Sequence, residues 1–177
     1  MSLLLQFLAT KAIAPVIGTI VLLTMGEHPV SLSKPHIVMQ EDSLYLSTKV
    51  NNGFTKDLLE IVKSGTPVVF RLGIETRNKT SVTHKIRYDL EKNLYIITFS
   101  ERPDTIKTED IKKMKEVVSN FSRINVPKDE IPPSGKLRIR ITLDPVKLDF
   151  LKDEDFDLMT LWDYRSPQQT VEIKFEK

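Results

Sequence analysis

NGFTKDLLEIVKSGTPVVFRLGIETR, residues Asn52–Arg77, is the stretch from which the fold can be read. Phe54, Leu58, Ile61 and Val62 recur at i, i+4, i+7 and i+8 and give one apolar helical stripe, with Lys56, Asp57, Glu60 and Lys63 on the wet side. Gly65 stands where a left-handed residue ends a helix, and Pro67 prevents continuation. Val68, Phe70, Leu72 and Ile74 then alternate with Val69, Arg71, Gly73 and Glu75, so a strand with one buried face follows almost without a connector. A short helix running directly into an amphipathic strand is an α+β signature.

The flanks extend the same pattern. Upstream, His36 to Gln40 and Leu44 to Val50 surround Glu41-Asp42-Ser43 and read as a hairpin. Downstream, Asn78-Lys79 is a tight turn into Ser81–Leu90, whose Val82, His84, Ile86 and Tyr88 share a face. Glu91-Lys92-Asn93 turns again into Leu94–Phe99, apolar on both faces and so expected deep in the sheet, covered on both sides. A second helix is expected with Thr108 as its cap, Glu109 and Asp110 in its first turn, and a stripe of Ile111, Met114, Val117, Val118 and Phe121. Pro127–Gly135 reads as a loop. Leu137, Ile139, Ile141 and Leu143 alternate with Lys136, Arg138, Arg140 and Thr142, and Gln169–Phe175 alternates once more. The expectation is a β-rich α+β domain over 36–177, mainly antiparallel and sandwich-like, with about seven strands and two short helices.

The first 26 residues differ sharply in composition from the rest. About 20 apolar residues span a bilayer, and Leu3 to Met25 suffices, with Leu3, Phe7, Ile13, Val16, Ile20 and Leu23 as membrane-facing positions if Lys11 snorkels or finds a partner. The competing reading is a cleavable signal peptide with Ala12–Leu23 as its apolar region. Residues 27–35, with His28-Pro29 and Lys34-Pro35, form an extended linker. The 177-residue chain has 26 basic and 24 acidic side chains of interspersed sign, so its net charge of +2 gives no argument for nucleic acid. With no Cys, disulfides, thiolate nucleophiles and Cys-bound metals are excluded.

Four features together resemble a family of bacterial exported, membrane-anchored proteins described as a domain of unknown function (DUF4390-like). They are the apolar N-terminal segment, the run Leu59–Phe70, the strand reaching Arg77, and Arg138–Asp144 ahead of Trp162. The resemblance implies a single-anchor or signal-peptide protein with a β-rich periplasmic domain at the inner membrane, and hints at envelope signalling. The family has aromatic residues after the Arg where this chain has Asn78-Lys79-Thr80.

No catalytic constellation emerges. Asp153, Asp155 and Asp157 have the opening spacing of a calcium loop, but Leu158 replaces the required Gly and Tyr164 the closing Glu. His28, His36 and His84 form no HxH or HExxH pair, and Pro133-Ser134-Gly135 is a turn rather than a nucleophile elbow. His84 is expected half-buried at the core edge. Arg71, Arg77, Arg87, Arg138 and Arg140 occupy outward strand positions, forming either a basic ladder for a partner or cross-strand pairs with Glu75 and Asp89. Trp162 and Tyr164 are either a core plug or a contact patch. The function expected is a non-catalytic, membrane-tethered envelope module that binds a protein partner, with no cofactor and no metal. Arg71, Arg77, Arg138, Arg140 and Trp162 are its candidate contacts; a lipid- or small-ligand-binding domain is the alternative.

Overall fold

A computed structural model describes residues 29–148 and 155–173, and the segment expected to meet the membrane lies outside them. Thr55 caps the first helix, α1 (Lys56–Lys63), its Oγ1 accepting from the Leu58 amide at 3.2 Å. Gly65 ends the unit at φ +89°, and β4 (Val68–Ile74) starts three residues later. Leu58 and Val62 of the helix and Val68, Phe70, Leu72 and Ile74 of the strand are all buried, as the two periodicities require.

Strand β4 lies inside a six-stranded antiparallel sheet of order β12-β9-β4-β5-β6-β7, where β5 is Thr80–Asp89, β6 Leu94–Phe99, β7 Thr105–Thr108, β9 Lys136–Leu143 and β12 Gln168–Glu172. The expected meander is β4-β5-β6. A second sheet is built on β3 (Ser43–Asn51), which pairs with β1 (Ser31–Leu32) and β2 (His36–Met39) along one edge and with β8 (Asn120–Pro127) along the other. The inward residues of both sheets, together with α1 and α2 (Ile111–Ser119), form one hydrophobic core. A short ladder, β10 (Val146–Lys147) with β11 (Asp155–Phe156), sits at the side.

Several expectations are corrected. Asp110, not Thr108, caps α2 by accepting from the Lys112 amide at 2.7 Å, while Thr108 closes β7, an edge strand with one apolar residue, Ile106. Phe121 is not on the helix: α2 stops at Ser119 and β8 begins at once. A β-bulge follows the junction. Leu46 pairs with Ile124 and Thr48 with Phe121, so β8 carries one extra residue there, with Arg123 at φ +53°. Phe121 entered the expected stripe because it follows Val117 and Val118 at i+4 and i+3, although the chain has already passed into β8. Strand β6 buries only Tyr95 and Ile97; Leu94 and Ile96 are half-buried on the outer face, so the strand is not covered on both sides. Arg77 is not on a strand either, because β4 ends at Ile74 and Arg77 lies in the following turn, its amide donating to Glu130 O at 2.9 Å.

Trp162 is the core plug. It lies at the end of a 3-10 turn (Leu158–Trp162), 4% exposed, and its indole Nε1 donates to Gly53 O at 3.0 Å. Its ring meets Phe70 at 5.8 Å between centroids, and Phe70 meets Phe54 at 5.0 Å. A Cβ on Gly53 would stand 2.8 Å from Val50 Cγ1 and 3.3 Å from the Phe70 ring, so glycine is required there by close approach. Tyr164, two residues on, is 69% exposed.

Truncating Trp162→Ala empties a large buried volume and orphans the Gly53 carbonyl, and is expected to cost about 3–5 kcal/mol by urea denaturation. As Trp162 is the one tryptophan, its emission reports the transition directly: blue-shifted when folded, red-shifted on unfolding. Native emission at the wavelength of free indole would contradict its burial.

Candidate functional site

Alternation along β4, β5 and β9 sends one set of side chains into the core and the other onto the outer face of the six-stranded sheet. Register then decides which outward residues meet. Gln168, Arg140, Gly73 and Ser81 form one row across β12, β9, β4 and β5. Thr142, Arg71 and Thr83 form the next. Val69, Lys85, Thr98 and Thr105 follow, then Arg87, Ile96 and Lys107. Arg138 lies beside Glu75, and Lys136 opposite Glu172.

The five arginines have different circumstances. Arg71 makes a bidentate pair with Asp144, Nε to Oδ1 at 2.8 Å and Nη2 to Oδ2 at 2.6 Å. That hydrogen bond raises the guanidinium above its ordinary value, and Asp144 is itself tied to β4 by its amide, which donates to Val69 O at 3.0 Å. Arg71 is therefore occupied in joining the end of β9 to β4. Arg138 faces Glu75 at 3.5 Å and Lys136 faces Glu172 at 3.2 Å, both pairs well exposed and of small stabilising value. Arg140, Arg87, Lys85 and Lys107 are exposed and have no ion pair among the described residues. Ladder and cross-strand pairing thus coexist. Arg77 stands apart in its turn, and Trp162 is in the core rather than on any contact surface.

The carboxylates on this face are already engaged. Glu75 and Glu172 are paired with Arg138 and Lys136, and Asp89 Oδ1 accepts from the Glu91 and Lys92 amides at the β5–β6 turn. The face therefore presents, among the described residues, four cations without an ion pair, on β9, β5 and β7 of one sheet. Sequence reasoning named Arg87 and Arg140 but not Lys85 or Lys107; the alternation of β5 marks Lys85, whereas Lys107 becomes visible only once β7 is known to be a strand.

His84, expected half-buried, is fully enclosed. Its ring stacks on Phe121 at 3.9 Å and meets Phe99 edge-on at 4.8 Å. Nδ1 lies 2.8 Å from Val118 O and, facing a carbonyl, donates; Nε2 lies 3.0 Å from Glu101 Oε1. Burial pushes the imidazole below its ordinary value, against the hydrogen bonds and the Glu101 charge, which pull it up. Asp157, one of the calcium-spaced aspartates, caps the 3-10 turn by accepting from the Met159 amide at 2.9 Å. Among the described residues, no group of three His, Cys, Asp or Glu side chains could hold a metal, and no helix is long and apolar enough to cross a membrane.

The depressed His84 value fixes the sign of a pH effect. As pH falls below about 6.5 the unfolded chain takes up a proton that the buried ring resists, so the stability present above that value is lost on acidification. Urea midpoints are expected to fall between about pH 7.5 and about pH 5.5, and to fall less in His84→Leu. An equal slope in the variant would place the proton uptake elsewhere.

No family model matches the chain, and no curated protein or solved structure is similar to it.

Proposed function

We propose that this chain is a non-catalytic, membrane-tethered module of the bacterial cell envelope that binds an acidic protein partner through the outer face of its six-stranded sheet. Residues 1–26 anchor it in the inner membrane as a single pass, the linker expected over 27–35 is shortened by β1 (Ser31–Leu32), which pairs with β3 and buries Leu32, and the domain stands in the periplasm. The envelope placement is supported by the apolar composition of residues 1–26 and by the resemblance in Leu59–Phe70 and Arg138–Asp144. The binding role rests on one observation: Arg140, Arg87, Lys85 and Lys107 project from β9, β5 and β7 of one sheet with no ion pair among the described residues, while Glu75 and Glu172 of the same face are paired with Arg138 and Lys136. Such a surplus steers an oppositely charged surface into encounter and sets its orientation. The hollow on this face beside Glu75, Arg138 and Thr170 is open to solvent, which suits a protein surface better than a small substrate.

Two measurements test this reading. Residues 27–177 without the anchor are expected to appear in the soluble fraction and to unfold cooperatively, while the full chain stays with membranes through an alkaline wash. An insoluble, non-cooperative fragment would mean that the division into anchor and domain is wrong. Crosslinked pull-down of the tethered chain from native-host membranes should recover a partner that is lost in the double variant Arg87→Glu/Arg140→Glu and at raised salt, since exposed charge contacts are screened within about 8–10 Å near physiological ionic strength. Recovery indifferent to both would remove the outer face from the interface.

A further inference from the structure

Four glycines fall among the described residues, and three have a structural reason. Gly65 and Gly135 adopt φ of +89° and +64°, where side chains are strained. Gly53 is crowded by Val50, Phe70 and Trp162. Gly73 has neither reason. It is in the middle of β4 with ordinary extended backbone, and a Cβ placed on it would meet nothing nearer than Arg140 O at 3.8 Å, an ordinary van der Waals separation. Glycine inside a strand is less stable than alanine by about 0.5–1 kcal/mol, because it orders a flexible residue and packs nothing. The position therefore bears a cost that folding does not explain.

Its surroundings supply a reason. Gly73 points to the outer face, where its cross-strand neighbours are Arg140 on β9 and Ser81 on β5. Those two positions are about 10 Å apart across two strand spacings, with bare backbone as the floor between them. Arg71 and Glu75 stand before and after it along β4. Arg71 is held by Asp144 and also donates Nη1 to Ser81 Oγ at 3.4 Å, and Glu75 is held by Arg138, so the guanidinium beside the hollow that remains without an ion pair is that of Arg140.

We propose that the hollow over Gly73 is the seat for a carboxylate side chain of an extended acidic segment in a protein partner. This deepens, and rests on, the reading of the outer face as a partner-binding surface. The carboxylate lies over the glycine backbone, where any side chain would displace it. Arg140 donates N–H bonds from one side, and on the other the Ser81 hydroxyl, whose oxygen accepts from Arg71, keeps its own O–H to donate. Lys85 and Arg87, further along the face, meet the next acidic residues of the segment, which fixes its direction across the strands. A lone anion on a fully exposed surface would be held weakly; the absent side chain creates a place where an acid group can approach the backbone closely.

The test uses the full chain in non-ionic detergent and a fluorescent oligoglutamate peptide as probe. Gly73→Thr fills the hollow with a β-branched residue suited to a strand, so the thermal midpoint is expected to hold or rise while peptide affinity falls about tenfold or more. Arg140→Gln should weaken binding to a similar degree. Lys107→Gln, which removes the same charge at the far edge, should change it by less than about twofold. If Gly73→Thr binds like the wild type while Arg140→Gln and Arg87→Gln are weakened, the hollow is not the seat, although the basic face still is. If all charge variants lower affinity equally, binding is diffuse and the seat is overturned as well. Absence of peptide binding, or capture by phosphatidylglycerol vesicles that Gly73→Thr leaves unchanged, overturns the seat and the acidic-protein reading together.

Discussion

The contact on which the architecture depends is that of Trp162 with Gly53 and Phe70. Residues 109 apart in sequence are joined by an indole N–H donated to a backbone carbonyl, inside a core where an unmade hydrogen bond is costly. Gly53 lies just after β3 of one sheet, Phe70 on β4 of the other, and Trp162 on a turn between β9 and β12. The three together hold the end of the second sheet, the start of the first and the C-terminal region at one point. The absent side chain of Gly53 is what lets the indole, the Phe70 ring and Val50 approach so closely.

His84 makes a second tie by different chemistry. The Val118 carbonyl belongs to the last turn of α2, where intrahelical donors run out because Asn120 is already extended in β8. A buried imidazole from β5 supplies the donor. Glu101 Oε1, just past the end of β6, lies 3.0 Å from the opposite nitrogen, so one side chain reaches from the helix end across to the sheet. The abrupt change from helix to strand at Ser119–Asn120 is thus paired with a polar group placed in the core to satisfy it, between Phe121 and Phe99.

How much could be read in advance depended on whether the signal was local. The helix–strand joint at Lys56–Ile74 was legible because its stripe, glycine stop and alternation all lie within one short window. Phe121 was misplaced because it follows Val117 and Val118 at helical spacing, while its pairing with Thr48 of β3, some 75 residues upstream, is what makes it a strand residue. β7 went unseen because a four-residue edge strand with one apolar side chain has almost no period. The arginines were legible as outward residues, but their partners were not. Arg71 finds Asp144 across 73 residues, a match set by the register of β4 on β9, which alternation alone leaves open.

That register also gives the outer face its character. Shifting β9 by two residues against β4 would keep every apolar side chain in the core and would still place Arg140 outward, but opposite Arg71 or Glu75 instead of Gly73. In the first case two cations would repel; in the second Arg140 would be neutralised. The observed pairing avoids both, leaving one guanidinium beside a glycine and no carboxylate within its row. Stability alone does not select this arrangement, since a β-branched residue in place of Gly73 or an acid at Ser81 would strengthen the sheet. A sheet that leaves both gains unused at adjoining positions departs there from the choice that its own stability favours.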